Sequence, residues 1–139
     1  MTPASFRKIA LSLPDAKEHT HQNHPDFRVG GKIFATLGYP DAAWAMVKLY
    51  PAQQHAFVAA DPKIFVPVKG AWGLKGCTNV RLKTATIAKA HEALHTAWRN
   101  TAVHAALRDL QKTELAKKKS TRKTAKVKVS PEPRTLRKG

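Results

Sequence analysis

Residues 27–37 have the sequence F-R-V-G-G-K-I-F-A-T-L and decide the fold, because they predict a β-hairpin. The Gly-Gly pair near the centre supplies the positive φ angles that a tight hairpin turn requires. On the strand that follows, Ile33, Ala35 and Leu37 share one face and alternate with residues on the other. A strand pair of this kind needs further strands or helices to cover its apolar face.

The flanking sequence predicts those further elements. Thr2 is a suitable N-cap, Pro3 suits the first helical position, and Pro14 ends the first helix. Further strands are predicted at residues 18–24, 44–49, 64–68 and 78–83, with a short helix at residues 51–60. This order predicts an α+β fold, in which helices pack on one face of an antiparallel sheet that carries β-hairpins.

Two helical segments close the predicted domain. One apolar stripe, in which His91 faces the core, covers residues 87–98, and a second covers residues 103–110. The two stripes are out of phase, which predicts a kink or a break near residues 100–101. Beyond Lys112 the apolar pattern ends, so the α+β domain is predicted to span residues 1–112.

Residues 113–139 form a strongly basic segment. They hold ten Lys and Arg residues against Glu114 and Glu132, a net charge of +8 out of +16 for the whole chain. Such a segment repels itself and buries little apolar surface, so it is predicted to be disordered. It can release counterions from a polyanion, which makes nucleic acid the first partner to consider. The candidate contacts in this segment are Lys117, Lys118, Lys119, Arg122 and Lys123.

A second glycine-rich loop, at residues 69–76, joins two of the predicted strands. Lys69 and Lys75 flank Trp72 there, so the loop could pair two phosphates while the indole touches a sugar or base. As alternatives, Trp72 covers the core as a lid, and the basic residues form only a solvated face. The predicted contacts in the domain are Arg28 and Lys32 beside the Gly-Gly turn, Lys69, Trp72 and Lys75 in this loop, and Arg81 and Lys83 on an adjacent polar strand face.

Two histidine patterns suggest metal sites. Residues 91–95 match His-Glu-x-x-His, whose spacing on a helix suits zinc, but His91 lies in the predicted core stripe. His19, His21 and His24 form a second group, which is also typical of a polar edge segment. No phosphate-binding glycine fingerprint or nucleophile elbow is present. We therefore expect no catalytic residue, no metal site and no cofactor.

The composition excludes other classes of protein. Cys77 is the only cysteine, which excludes an intrachain disulfide and a site built from several cysteines. Arg7 and Lys8 interrupt the only apolar stretch near the start, which is unlike a signal peptide. No apolar run is long enough to span a bilayer, so we expect a cytoplasmic protein without a membrane partner.

Several short stretches resemble the MmcQ/YjbR family over residues 6–99. They are the apolar helix before Pro14, D-F-R-V-G-G-K-I-F-A at 26–35, V-K-L at 47–49, F-V-P-V at 65–68, G-A-W-G at 70–73 and A-W-R at 97–99. The resemblance implies an α+β domain with a double wing of β-hairpins that is proposed to bind DNA, without an established enzymatic activity. The wings would correspond to the Gly-Gly turn and to the loop around Trp72. The basic extension and the His-Glu-x-x-His match lie outside the family pattern.

Together these features predict a non-enzymatic protein that binds DNA largely independently of base sequence, with RNA as the other nucleic acid to consider. One alternative is a small module that binds a protein or an acidic metabolite, with the basic segment as an appendage. Another is a zinc hydrolase at His91, Glu92 and His95. The oligomeric state stays open.

Overall fold

The computed structural model describes the backbone of residues 1–129 and the side chains of residues 1–20 and 22–118. The chain forms a six-stranded antiparallel sheet with helices, which confirms the predicted α+β class. Two compact units are present: Met1–Ala105, here called the domain, and a second unit that begins at Ala106. The elements are α1 (Pro3–Ser12), β1 (Lys17–His21), β2 (His24–Val29), β3 (Lys32–Leu37), β4 (Trp44–Lys48), α2 (Pro51–Ala60), β5 (Phe65–Pro67), α3 (Ala71–Leu74), β6 (Cys77–Arg81) and α4 (Ile87–Val129).

The strands lie in the order β1-β2-β3-β4-β6-β5, and every neighbouring pair is antiparallel. The segment predicted as one edge strand at 18–24 is instead two strands joined by a turn. Gln22 and Asn23 have φ angles of 52° and 66°, as a two-residue hairpin turn requires. Asn tolerates this conformation better than most residues, but Gln rarely adopts it, so the sequence carried only a weak signal for this turn.

One core holds the domain together on a single face of the sheet. Phe27 packs against Phe6 of α1 with ring centres 6.4 Å apart, and Phe65 packs against Phe57 of α2 at 5.0 Å. The same cluster includes Leu94 of α4. We call the side of the sheet that carries these contacts the helix face, and the opposite side the open face.

The first part of α4 departs from the predicted stripes. The helix is continuous through residues 100–101, so a break there is wrong, while a kink stays a prediction. His91 is exposed, and therefore the prediction that it faces the core is also wrong. The buried side consists of Ala90, Ala93, Leu94 and Ala97. Small side chains allow the helix to lie close to the sheet, so one continuous helix buries a stripe that contains few large residues.

Further along, α4 enters the basic segment. It continues through residues 113–129, where disorder is predicted, while residues 130–139 lie outside the described residues. Residues 113–118 are exposed, and a helix without tertiary packing is only marginally stable in water. The disorder of the free segment therefore stays a prediction, which circular dichroism of the isolated segment would test. Within residues 1–129, no helix is long and apolar enough to cross a membrane.

Candidate nucleic-acid interface

The Gly-Gly turn and the loop around Trp72 lie at the same end of the sheet. β2 ends at the turn, and β6 begins at Cys77, directly after α3. Cys77 pairs with Lys48 at the end of β4, and β4 pairs with β3 so that Val47 lies opposite Ala35. We call this end, where β3 begins and β4 ends, the turn end. It brings together five of the predicted contacts: Arg28, Lys32, Lys69, Trp72 and Lys75.

The turn between β2 and β3 has the predicted hairpin geometry. Gly30 and Gly31 have φ angles of 60° and 79°, and Lys32 beside them is exposed. A Cβ at Gly30 would lie 2.6 Å from the Cβ of Ala105, so the turn passes too close to α4 for a larger residue. Ala105 is the last residue of the domain.

The connection between β5 and β6 contains a one-turn helix, α3, rather than only the open loop that the sequence suggests. Its close approach to β5 requires glycine, because a Cβ at Gly73 would lie 1.6 Å from the carbonyl oxygen of Val68. A Cβ at Gly76 would lie 2.0 Å from the carbonyl oxygen of Leu49. The spacing of these glycines thus reflects the closure of a tight backbone turn.

Gln54 of α2 holds α3 in place, a role that the sequence pattern of α2 does not indicate. Its buried side-chain amide donates hydrogen bonds to the carbonyl oxygens of Gly73, at 3.0 Å, and Cys77, at 2.9 Å. The two bonds link α2 to both ends of the segment that joins α3 to β6. They fix the position of the backbone from which Trp72 and Lys75 project.

Trp72 is 60% exposed, so the alternative that it covers the core as a lid is wrong. The Nζ of Lys75 lies 5.1 Å from the centre of its ring, and the Nζ of Lys48 lies 6.0 Å from that centre. Both distances suit cation–π attraction. Lys48 was not among the predicted contacts, although it follows Trp44 and Met46 in the alternation along β4.

Arg28 is engaged within the domain. Its Nε donates to Oδ1 of Asp26 at 2.8 Å, and its Nη2 donates to Oδ2 at 3.2 Å. This paired carboxylate raises the pKa of Arg28 further above its usual range. Asp26 is only 2% exposed, and a buried carboxylate without a partner is costly. Arg28 therefore stabilises the sheet, and its role as a phosphate contact stays a prediction.

Arg81 and Lys83 lie at the opposite end of the sheet, here called the far end. Arg81 pairs with Trp44 at the start of β4, four residues along β6 from Cys77. At about 3.3 Å per residue, this separates Arg81 from the turn end by about 13 Å. The expectation that both residues adjoin the loop around Trp72 is therefore wrong, because β6 carries the chain away from it.

The predicted contacts of the basic segment lie on α4. Lys117 and Lys118 are exposed. Lys119, Arg122 and Lys123 lie on the described helical backbone, but their side chains are outside the described set. Their contact with nucleic acid stays a prediction.

The histidine patterns do not form a metal site in the described structure. His91 and His95 stack with ring centres 6.2 Å apart on the exposed side of α4. The ring of His24 packs against the ring of Tyr39 with ring centres 6.0 Å apart. The side chain of His21 is outside the described set. Among the described residues, no group of three or more His, Cys, Asp or Glu side chains is arranged to hold a metal ion.

Comparisons with known proteins give a family model and a solved structure. Residues 11–100 match the family model described as YjbR. The crystal structure of Deinococcus radiodurans protein DR2400, with the family-model domain DUF419, is similar with a TM-score of 0.58. It is 19% identical, and the alignment covers 70% of this chain and 75% of that chain. Identity at this level shows a shared fold alone. No curated protein matches.

Proposed function

This chain belongs to the YjbR family, and on that premise we propose that it is a non-enzymatic, cytoplasmic protein that binds duplex DNA largely independently of base sequence. The turn end of the domain contacts the phosphate backbone, and the basic segment adds further phosphate contacts. RNA duplexes share the phosphate chemistry, so they serve as the comparison in the binding assay.

The observation that carries this proposal is the grouping of cations around an exposed indole at the turn end. Lys48 and Lys75 lie beside Trp72. Lys32 is exposed beside the Gly-Gly turn, and Lys69 is exposed between β5 and α3. None of the ion pairs among the described residues involves these four lysines. Their charges are therefore not neutralised within the domain.

Lysine suits contacts that do not depend on base sequence. Its ammonium group is a compact charge on a flexible stem, so it follows phosphates without the fixed fork by which arginine recognises guanine. Contacts of this type fix the position of a protein on DNA and carry no sequence information. The affinity then depends mainly on how many counterions the protein releases.

The experiment is a salt titration of binding to a mixed-sequence DNA duplex. If the protein neutralises about six to eight phosphates, log K falls against log salt with a slope of about −5 to −7. Deletion of residues 113–139 should make the slope shallower while the domain stays folded. A slope near zero for the full chain would contradict the proposal.

A matched pair of charge reversals tests the placement at the turn end. Lys32→Glu combined with Lys75→Glu should weaken duplex binding strongly and make the slope shallower by about two. Lys63→Glu combined with Lys83→Glu makes the same change in net charge at the far end, next to the ends of β5 and β6. Equal losses in the two double variants would mean that binding follows net charge and not the turn end.

A further inference from the structure

The open face of the sheet carries a second pair of an aromatic ring and a cation, at the far end. Along β4, Trp44, Met46 and Lys48 alternate with the buried residues Ala45 and Val47, so they share the open face. All three are half-buried. Part of each of these three side chains is therefore accessible to a partner.

Trp44 and Arg81 form a stacked pair on that face. They lie directly opposite each other on β4 and β6, and Cζ of Arg81 is 4.5 Å from the centre of the Trp44 ring. Arg81 is exposed, and no ion pair among the described residues includes it. An indole and a guanidinium held in this way offer flat surfaces together with a positive charge.

We infer that this pair binds an unpaired base of single-stranded DNA, which stacks on Trp44 and Arg81 while the sugar-phosphate backbone runs along β4 toward Lys48. The inference rests on the proposed function, since it assigns a second mode of DNA binding to the same chain. Bases stack on aromatic side chains and on guanidinium planes, and such stacking tolerates any base sequence. The rise along β4 separates Trp44 from Lys48 by about 13 Å, and Lys48 lies beside the exposed indole of Trp72.

Single-stranded DNA fits this surface better than a duplex. In a duplex the face of each base is covered by its neighbours, so a ring on a flat sheet cannot stack on it. Phosphates of either form can bind the lysines of the turn end. The two sites therefore predict different preferences: the turn end binds both forms of DNA, and the Trp44–Arg81 pair contributes only to the single strand.

The test compares oligothymidylate with a DNA duplex on the full chain and its variants. Trp44→Leu should weaken binding of oligothymidylate by about tenfold, within the range found for loss of one stacked base, and change duplex binding less than twofold. Its salt slope should not change, because no charge is removed. Loss of Lys32 and Lys75 should weaken binding of both forms. An equal effect of Trp44→Leu on both, or no effect on either, would overturn the inference.

A second measurement covers the case in which Trp44→Leu does not fold. In the variant Trp72→Phe with Trp98→Phe, Trp44 is the remaining tryptophan of the chain. Oligothymidylate should quench its fluorescence and a duplex should not. Unquenched emission at saturating oligothymidylate would overturn the inference even when duplex binding stands. A preference for oligouridylate above tenfold would overturn the assignment to DNA. If the wild-type chain binds no DNA at all, the proposed function itself has failed.

Discussion

The turn end and the far end of the sheet both place a tryptophan beside a cation, but they are built in different ways. At the far end, Trp44 and Arg81 meet because two strands pair in regular register. At the turn end, Trp72 projects from a single helical turn, and its lysines come from β4 and from the residue after α3. The far end presents the planar guanidinium of Arg81 on a strand of the sheet. The turn end presents the ammonium groups of Lys48 and Lys75 on flexible side chains beside α3. This difference suits stacking at the far end and phosphate contact at the turn end.

The largest expected effect comes from disrupting the closure of α3. In Gly73→Ala, the new Cβ would overlap the carbonyl oxygen of Val68, so the backbone of α3 has to move. We expect a loss of about 3 kcal/mol or more in the free energy of unfolding, measured by urea denaturation. Gly31→Ala is the control, because nothing lies within 4 Å of its Cβ and only the positive φ costs about 1–2 kcal/mol. Equal losses would mean that α3 adapts freely and that the turn end is not a closed structure.

A smaller effect is expected from Gln54→Leu. The substitution keeps a similar volume but removes two buried hydrogen bonds, for a loss of about 1–2 kcal/mol in the free energy of unfolding. The carbonyl oxygens of Gly73 and Cys77 each retain a backbone donor, which limits the cost. His55→Leu, on an exposed neighbouring position of α2, should change stability by less than about 0.5 kcal/mol.

Gln54→Leu also distinguishes the two ends in binding. If Gln54 positions α3, binding of the duplex and of oligothymidylate should both weaken. In the variant Trp72→Phe with Trp98→Phe, saturating oligothymidylate should still quench Trp44 to the same extent when Gln54→Leu is added. A variant that is destabilised but binds the duplex as the wild type does would show that the position of Trp72 is not important for the turn end.

The sequence predicts the local elements better than it predicts at which end of the sheet a given side chain lies. The Gly-Gly turn and the helix before Pro14 are each set by neighbouring residues, and both are confirmed. Arg81 was assigned to the wrong end because the assignment followed nearness in sequence to Trp72, whereas a strand separates residues quickly. A strand of five residues is enough to move a side chain from one end of the sheet to the other.

The missed residues depend on tertiary contacts. Gln54 appears in sequence as one polar residue of a short helix, and only its two carbonyl partners reveal its role. The buried side of α4 consists mostly of alanine, whose weak apolar signal in the sequence is outweighed by larger residues such as Ile87 and His91. The spacing of Gly70, Gly73 and Gly76 was the one available signal for the tight turn at α3, because regularly spaced glycines often mark close backbone approach.

The smallest expected effect concerns Cys77, which lies at the turn end and is the only cysteine of the chain. Burial raises the pKa of its thiol, and this outweighs the opposing influence of Lys48 and Lys75. The stabilisation by the neutral thiol is thus fully present below the unfolded pKa, about 8.5, and is lost as the pH rises through the folded pKa. The free energy of unfolding should fall more steeply above about pH 8.5 in the wild type than in Cys77→Ala, measured by urea denaturation over that range.

The same thiol reports binding at the turn end. Below about pH 8.5, labelling of the native Cys77 thiol by a maleimide should be slow, because it requires local opening of the turn end. A duplex bound at the turn end should slow the labelling further, whereas equal labelling rates with and without a saturating duplex would place the duplex elsewhere on the domain.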